Sequence, residues 1–358
     1  MNMTTRRAVP VFLVAAFLIG AAVVSAQTLA PPRLNAEQKK RARVLSTLVD
    51  EVVANKHSAP ADVALTWQGA YLAADGGLVY VPYTINIDGK FTGMPVAMYV
   101  RVLTKDALPP SYDASKSTTM RSWVGQMSII YDTKDIRSGN VAATGLVAED
   151  ILFFELPKDG RLNRGLWLPP GEYNLFVAMQ EKPQKEMPRS VVLKQPITVP
   201  NLSDGFAMSS VILADSLGPA PATSKKQTQL DDPFTIGGTK IVPAASTRLP
   251  RAGEMTAVFF LYNPSAGRAG KPDVVAEYNF YQRVGAGAEP FKQSPPQAFN
   301  AETLPGEFEL AAKQQIMGGL AVSLSAFPVG DYQLEVKVTD KVSRQTISRT
   351  RDFSVYGQ

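Results

Sequence analysis

A chain of 358 residues with 37 lysines and arginines against 32 aspartates and glutamates has a formal charge of +5, too small an excess to point to nucleic acid. It has no cysteine and one histidine, which excludes disulfide staples, a thiol nucleophile, thiolate metal sites and a lipidated cysteine. It has no Gly-Lys-Ser/Thr phosphate loop and no strand-linked Gly-x-Gly-x-x-Gly, so no cofactor is expected.

The chain opens with Arg6 and Arg7, an apolar stretch from Val11 to Val24, and the small-residue pattern Val24-Ser25-Ala26. That order of charge, apolar run and small residues reads as a signal peptide over residues 1–26, with the mature protein starting at Gln27. The apolar stretch falls short of the ~20 residues that span a bilayer, so no stable membrane span is expected after cleavage. The expected location is periplasmic or extracellular, in a bacterium. Loss of Arg6 and Arg7 lowers the formal charge to about +3.

Residues 27–58 form an N-terminal segment with one amphipathic helix. Asn35 is placed to cap it with Gln38 at the third position, and Val44, Leu45, Leu48, Val49, Val52 and Val53 recur at helical spacing through about Asn55. The basic run Lys39, Lys40, Arg41 and Arg43 reads as a solvated face of that helix, with an anionic membrane surface as the other reading.

Beyond His57 the period changes from helix to strand. Val63, Leu65 and Trp67 alternate with smaller or polar residues, and Leu78 to Ile87 is rich in β-branched and aromatic residues before the turn signal Asp88-Gly89. Val96, Met98, Val100 and Val102 share one face, and Met127–Tyr131, Ile151–Leu156, Glu172–Met179 and Val191–Val199 supply further strands. Residues 59–200 are therefore read as β-sandwich domain 1.

Residues 201–358 repeat the plan as β-sandwich domain 2. Its strands are Met208–Ala214, Met255–Tyr262, Val274–Tyr281, Leu320–Leu324 and Thr346–Val355, with a flexible loop or linker expected at 216–232. The strongest sign of duplication is a phrase that occurs twice: Leu168-Pro-Pro-Gly171-Glu-Tyr173-Asn-Leu175 and Phe327-Pro-Val-Gly330-Asp-Tyr332-Gln-Leu334. The spacing of the two phrases is that of tandem domains, since solenoid units recur every 20–50 residues or so. Tyr173 and Tyr332 resemble the tyrosine corner of immunoglobulin-like sandwiches, in which a tyrosine hydroxyl bonds upstream backbone at the start of a late strand. Leu175 and Leu334 stand where those domains carry a cysteine. Opposite the inward face, Asp331, Gln333, Glu335 and Lys337 are polar, whereas Asn174, Phe176 and Ala178 are partly apolar, which suits a cover by the N-terminal helix. The expected fold is thus mainly β: two tandem immunoglobulin-like antiparallel β-sandwiches preceded by an amphipathic helix.

Met208-Ser-Ser-Val-Ile-Leu-Ala214, Pro233-Phe-Thr-Ile-Gly-Gly238 and the strand ending Leu261-Tyr-Asn-Pro264 resemble exported bacterial β-sandwich modules. Modules of that kind accompany von Willebrand-factor-A-related or GWxTD-type proteins. The resemblance covers domain 2 alone, and the Gly-Trp-x-Thr-Asp string is absent. What it implies is an exported accessory or interaction module with no inherited catalytic residue.

Residues suited to chemistry are few. Any histidine-based triad or zinc site must use His57, which stands at the end of the helix as a solvated, dipole-complementing residue. Asp113-Ala-Ser115-Lys-Ser117 fits an Asp-x-Ser-x-Ser cation motif, but Pro109 and Pro110 deny it the apolar strand that such a motif needs, so no metal site is assigned. The adjacent pairs Glu149 with Asp150 and Asp231 with Asp232 read as loop acids. Gly285-Ala-Gly-Ala288 reads as a turn. Trp67 and Trp167 read as core or sheet-edge residues. Trp123, with Arg121 in a long polar loop, is the candidate for ligand binding. The function expected is a non-enzymatic exported module that recruits a protein or cell-envelope partner; the alternatives are a carbohydrate-binding module that takes a glycan, or a carboxylate-dependent hydrolase of envelope polymers.

Overall fold

The computed structural model describes residues 34–56, 58–61, 63–87, 95–105, 119–124, 127–132, 146–182, 188–220 and 232–357, with backbone alone at 95, 119–124, 127–132, 146 and 269. Residues 1–26, where a signal peptide is expected, His57, the Asp113–Ser117 motif and residues 221–231 lie outside the described residues. One compact unit holds the described residues up to Asn201 together with 232 and 233, and a second holds those from Leu202 to 220 and from Phe234 onward.

The first unit opens with α1 (Ala36–Val53). Its strands are β1 (Leu65–Gly69), β2 (Leu72–Ala73), β3 (Val79–Ile87), β4 (Pro95–Thr104), β5 (Thr119–Val124), β6 (Met127–Asp132), β7 (Leu146–Glu155), β8 (Arg161–Leu168), β9 (Gly171–Glu181) and β10 (Ser190–Val199). β3 is flanked on one side by β1 and β2 and on the other by β8, all antiparallel, and a second sheet runs β10-β9-β4-β7-β6-β5.

The second unit contains β11 (Ala207–Met208), β12 (Ile212–Pro219), β13 (Thr235–Ile236), β14 (Thr239–Pro243), β15 (Arg248–Pro250), β16 (Glu254–Tyr262), β17 (Val274–Val284), β18 (Gly287–Phe299), β19 (Ile316–Ser323), β20 (Gly330–Asp340) and β21 (Gln345–Tyr356). Here β16 takes the place of β3: β11 and β12 lie on one side of it and β19 on the other. The facing sheet runs β15-β21-β20-β17-β18. The same order therefore occurs twice, as β1/β2-β3-β8 with β10-β9-β4 and as β11/β12-β16-β19 with β21-β20-β17. Split by sheet in this way, the strands reproduce the immunoglobulin-like arrangement.

Alternation explains which face each strand buries. Tyr332, Leu334, Val336 and Val338 are all 0% exposed, and with Phe280, Phe327 and Phe353 they fill the second core. In the first unit Tyr173, Leu175, Val177 and Met179 point inward in the same way. Both corner tyrosines donate to a proline carbonyl four residues upstream, Tyr173 to Pro169 at 2.9 Å and Tyr332 to Pro328 at 2.8 Å. The glycines of the two phrases share one φ, 157° at Gly171 and 156° at Gly330. A second shared device is a glycine beneath an aromatic ring. A Cβ on Gly165 of β8 would stand 2.4 Å from the Tyr80 hydroxyl, and one on Gly318 of β19 would stand 2.3 Å from the Phe259 ring.

Several expectations are corrected. The strand expected from Met208 to Ala214 is broken at Ser209, whose fully buried hydroxyl accepts from the Phe260 amide at 2.8 Å and donates to the Ser210 carbonyl at 2.8 Å. The Ser209 amide still donates to the Phe260 carbonyl at 2.9 Å, and the hydroxyl takes the place of the return bond of the ladder. Part of the loop expected at 216–232 is strand: β12 runs on to Pro219 and pairs with β14 from Ser216↔Val242 to Pro219↔Thr239. β18 was hidden by Pro290, Pro295 and Pro296, which an edge strand tolerates and an inner strand does not. Arg121 and Trp123 lie on strand β5 and not in a long loop. Glu149 and Asp150 lie on β7, not in a loop.

Candidate functional site: a basic groove along the N-terminal helix

α1 starts where its capping box dictates. The Asn35 side chain accepts from the Gln38 amide at 2.9 Å, and the Gln38 side chain accepts from the Asn35 amide at 3.0 Å. Its inner stripe, Leu45, Val49 and Val52, is buried against Ala97, Tyr99 and Leu103 of β4, Phe176 and Ala178 of β9, and Val192 of β10. The partly apolar face of β9, for which the sequence suggested a cover by the N-terminal helix, is covered by α1.

Polar contacts fix the rotation of the helix about its axis. Arg101 of β4 reaches up to Asp50 and Ser46 of α1, the latter at 2.8 Å, and its Nε donates to the Tyr99 hydroxyl at 2.9 Å. That hydroxyl in turn donates to Glu149 at 2.9 Å. Burial disfavours the Arg101 charge, but Tyr99 and Asp50 outweigh it and hold the guanidinium above its ordinary pKa. Burial, reinforced by Glu149, pushes the Tyr99 hydroxyl well up. Arg41 is the second anchor. It is only 7% exposed, donates to the Gln180 carbonyl at 3.0 Å and sits 5.6 Å from the centre of the Phe153 ring. Burial lowers its pKa, with Glu37 opposing. The basic run is therefore not one solvated face: Arg41 points into the sheet while Lys39, Lys40 and Arg43 stay exposed.

Those three cations and the outward side of α1 line an open groove of about 650 Å³ against the β9–β10 end of the sheet. Ala36, Lys40, Val44, Thr47, Leu48 and Glu51 follow one another at helical spacing along it, and Gln180 and Ser190 form the far wall. Val44 is 43% exposed, an apolar floor between cations. Lys39, Lys40 and Arg43 make no ion pair among the described residues. The groove offers positive charge around a small apolar strip.

The other sequence candidates disperse. Arg121 and Trp123 stand two apart on one face of β5, at the outer edge of the six-stranded sheet and away from the α1 groove in strand order; their side chains are outside the described residues. Glu149 and Asp150 point to opposite faces of β7: Glu149 joins Tyr99 under α1, whereas Asp150, paired with Val100, faces the sandwich interior. Two carboxylates so placed do not serve one substrate. Trp67 stacks on Tyr83 at 4.1 Å, and Trp167 is 3% exposed beside Tyr80, its Nε1 buried without a partner. Among the described residues no group of three histidine, aspartate or glutamate side chains is placed to hold a metal ion, and no helix is long and apolar enough to cross a membrane. Sequence reasoning missed the groove because it arises from β9 and β10 meeting α1. The one signal available was Val44 standing outside the inner stripe.

No family model and no curated protein matches the chain. Among solved structures it is similar to Escherichia coli alpha-2-macroglobulin activated by porcine elastase, at 11% identity over 84% of this chain and 22% of that one, with a TM-score of 0.21. A second is the native conformation of E. coli alpha-2-macroglobulin, at 10% identity over 84% and 16%, with a TM-score of 0.22. The chain spans about a fifth of the length of those proteins. The β-sandwich assignment rests on its own strand order.

Proposed function

We propose that this is an exported, non-enzymatic binding module that recruits an anionic protein or cell-envelope partner through the groove along α1. The observation that carries this reading is the set of three exposed cations, Lys39, Lys40 and Arg43, around the exposed Val44, held outward by two buried arginine anchors. A helix that only covered a sheet would need the inner stripe and no such anchoring. Because the mature charge is only about +3, attraction to an anionic partner comes from the local cluster and not from the whole surface. The export half of the reading rests on the signal at residues 1–26, and intact mass of the envelope-exported protein is expected to start at Gln27.

The test is binding of the mature protein to isolated envelope fractions at rising salt. The reading expects binding that weakens with salt and that falls at least tenfold in Lys39→Glu/Lys40→Glu/Arg43→Glu. These side chains are exposed, so the variant's melting temperature reports whether the fold is intact. Unchanged envelope binding by the folded variant overturns the assignment of the groove.

A further inference from the structure

The sheet β15-β21-β20-β17-β18 has two edges that the sequence treats in opposite ways. At one edge β18 carries three prolines and its pairing with β17 slips register twice. Prolines and bulges of this kind block the addition of another strand. At the other edge β21 pairs with β20 through eleven consecutive positions, Gly330↔Val355 to Asp340↔Gln345, without a shift. β15 pairs only with its last residues, Ser354 to Tyr356, so the outer edge from Gln345 to Phe353 has no ladder partner among the described residues, although β11 of the facing sheet comes near β21. β21 contains no proline.

The open edge carries an unusual inward face. Arg349 lies opposite Val336 and Arg351 opposite Leu334, both fully buried, so the two guanidiniums rise from the core side of the strand. The Arg351 Nε is buried with no hydrogen-bond partner. Arg349 has only carbonyls: Ser348 at 3.1 Å and Met208 at a long 3.5 Å. Burial holds both arginines below their ordinary pKa, and no acid compensates on their face. Asp352 raises Arg351 somewhat, but it points to the opposite face, where Arg283 at 3.1 Å and Gln333 at 2.9 Å hold it. Partly desolvated cations without a counter-charge are costly, and a carboxylate satisfies the planar fork of a guanidinium through two parallel hydrogen bonds.

We propose that the free edge of β21 takes up an extended acidic segment of a partner protein as an added strand, with carboxylates two residues apart meeting Arg349 and Arg351. The spacing follows from strand geometry: side chains of an added strand reach the same face at every second residue, as the two arginines do. The same charges select the occupant. A second copy would bring Arg349 and Arg351 against their own kind, and a neutral strand would bury them uncompensated, so both are disfavoured while an acidic strand is favoured. This edge belongs to the second unit and the α1 groove to the first, and the proposal does not rest on that reading.

The experiment titrates the mature protein with a labelled nine-residue threonine-rich peptide bearing glutamates at two successive same-face positions, and with its glutamine counterpart. Expected is saturable binding of the glutamate peptide alone, new hydrogen-exchange protection confined to the 345–353 backbone, and at least tenfold weaker binding in Arg349→Gln/Arg351→Gln. Arg351→Lys keeps charge and stem but loses the fork, and an intermediate affinity is expected of it. The proposal is overturned if the two peptides bind alike, if the folded double variant binds as well as the parent, or if protection appears elsewhere. Should the double variant fail to fold, the peptide pair and Arg351→Lys still decide. Loss of this binding leaves the response of envelope binding to Lys39, Lys40 and Arg43 unaffected, so the two readings fail separately.

Discussion

Tyr332 and Tyr173 do the same job with the same atoms, yet their surroundings set how much each hydroxyl contributes. Both rings are buried, while the accepting prolines differ: Pro328 is exposed and Pro169 half-buried. Water can replace a lost donor more readily at Pro328. Tyr332→Phe is therefore expected to cost about 1 kcal/mol and Tyr173→Phe somewhat more, near 2 kcal/mol, when denaturant midpoints are compared. Equal midpoints for both variants and parent would remove the corner bonds from the account. Asp150 works in the opposite direction. Burial raises its carboxyl to about 7, partly offset by the Ile151 amide at 2.8 Å and by Arg164, with Glu149 adding to the rise. The folded state then holds this proton more tightly than the unfolded chain, where an aspartate titrates near 4. Stability is lost as pH rises from about 4 to about 7, and the penalty is complete above that. Asp150→Asn is expected to stabilise by on the order of 2 kcal/mol at pH 8, allowing for its partial exposure, and by nothing at pH 4. Melts across that range check it, and a gain independent of pH would contradict the desolvation argument.

At the scale of elements, α1 shows how far a sequence reaches. Its start was legible because Asn35 and Gln38 satisfy each other's backbone, and its inner stripe because Leu45, Val49 and Val52 recur at 3.6-residue spacing. The role of Arg41 was not legible: charge alone grouped it with its neighbours, and only the Gln180 carbonyl and the Phe153 ring, far along the chain, reveal its burial. β18 and the break at Ser209 escaped for a related reason, since both depend on whether a strand lies at an edge or has a neighbour to bond. Trp123 escaped because the strand that carries it is short and, among the described residues, paired only with β6. Leu45, fully buried between helix and sheet, offers the direct test of the docking of α1. Leu45→Ala is expected to cost 2–5 kcal/mol or so through lost transfer energy and the cavity left behind. Hydrogen exchange along 36–53 should rise with it. If exchange in α1 is unchanged, the helix is held by its ion pair with Arg101 and not by the apolar stripe.

For the whole molecule, the repeated Pro-x-Gly-x-Tyr phrase was enough to announce two modules, because a corner that must turn, enter a strand and place a hydroxyl constrains several residues at once. Where one module ends was harder to read, since covalent order and spatial order part company at Pro233. Pro233 follows the opening strands of the second unit, yet it belongs spatially with the first, where its carbonyl accepts the Tyr80 hydroxyl at 3.0 Å. Tyr80 is fully buried and packs on Trp167 at 4.8 Å. A chain stopped at Asn201 would retain both sheets of the first sandwich but would lose that acceptor from a buried donor. It is expected to melt below the same sandwich in the intact protein, and Tyr80→Phe is expected to lower the intact protein by about 1 kcal/mol and the truncated chain by less, because the bond to Pro233 is already gone there. Double-mutant comparison of the four proteins measures that coupling. A Tyr80→Phe effect of equal size in both chains would mean that Pro233 contributes nothing and that the first module is complete at Asn201.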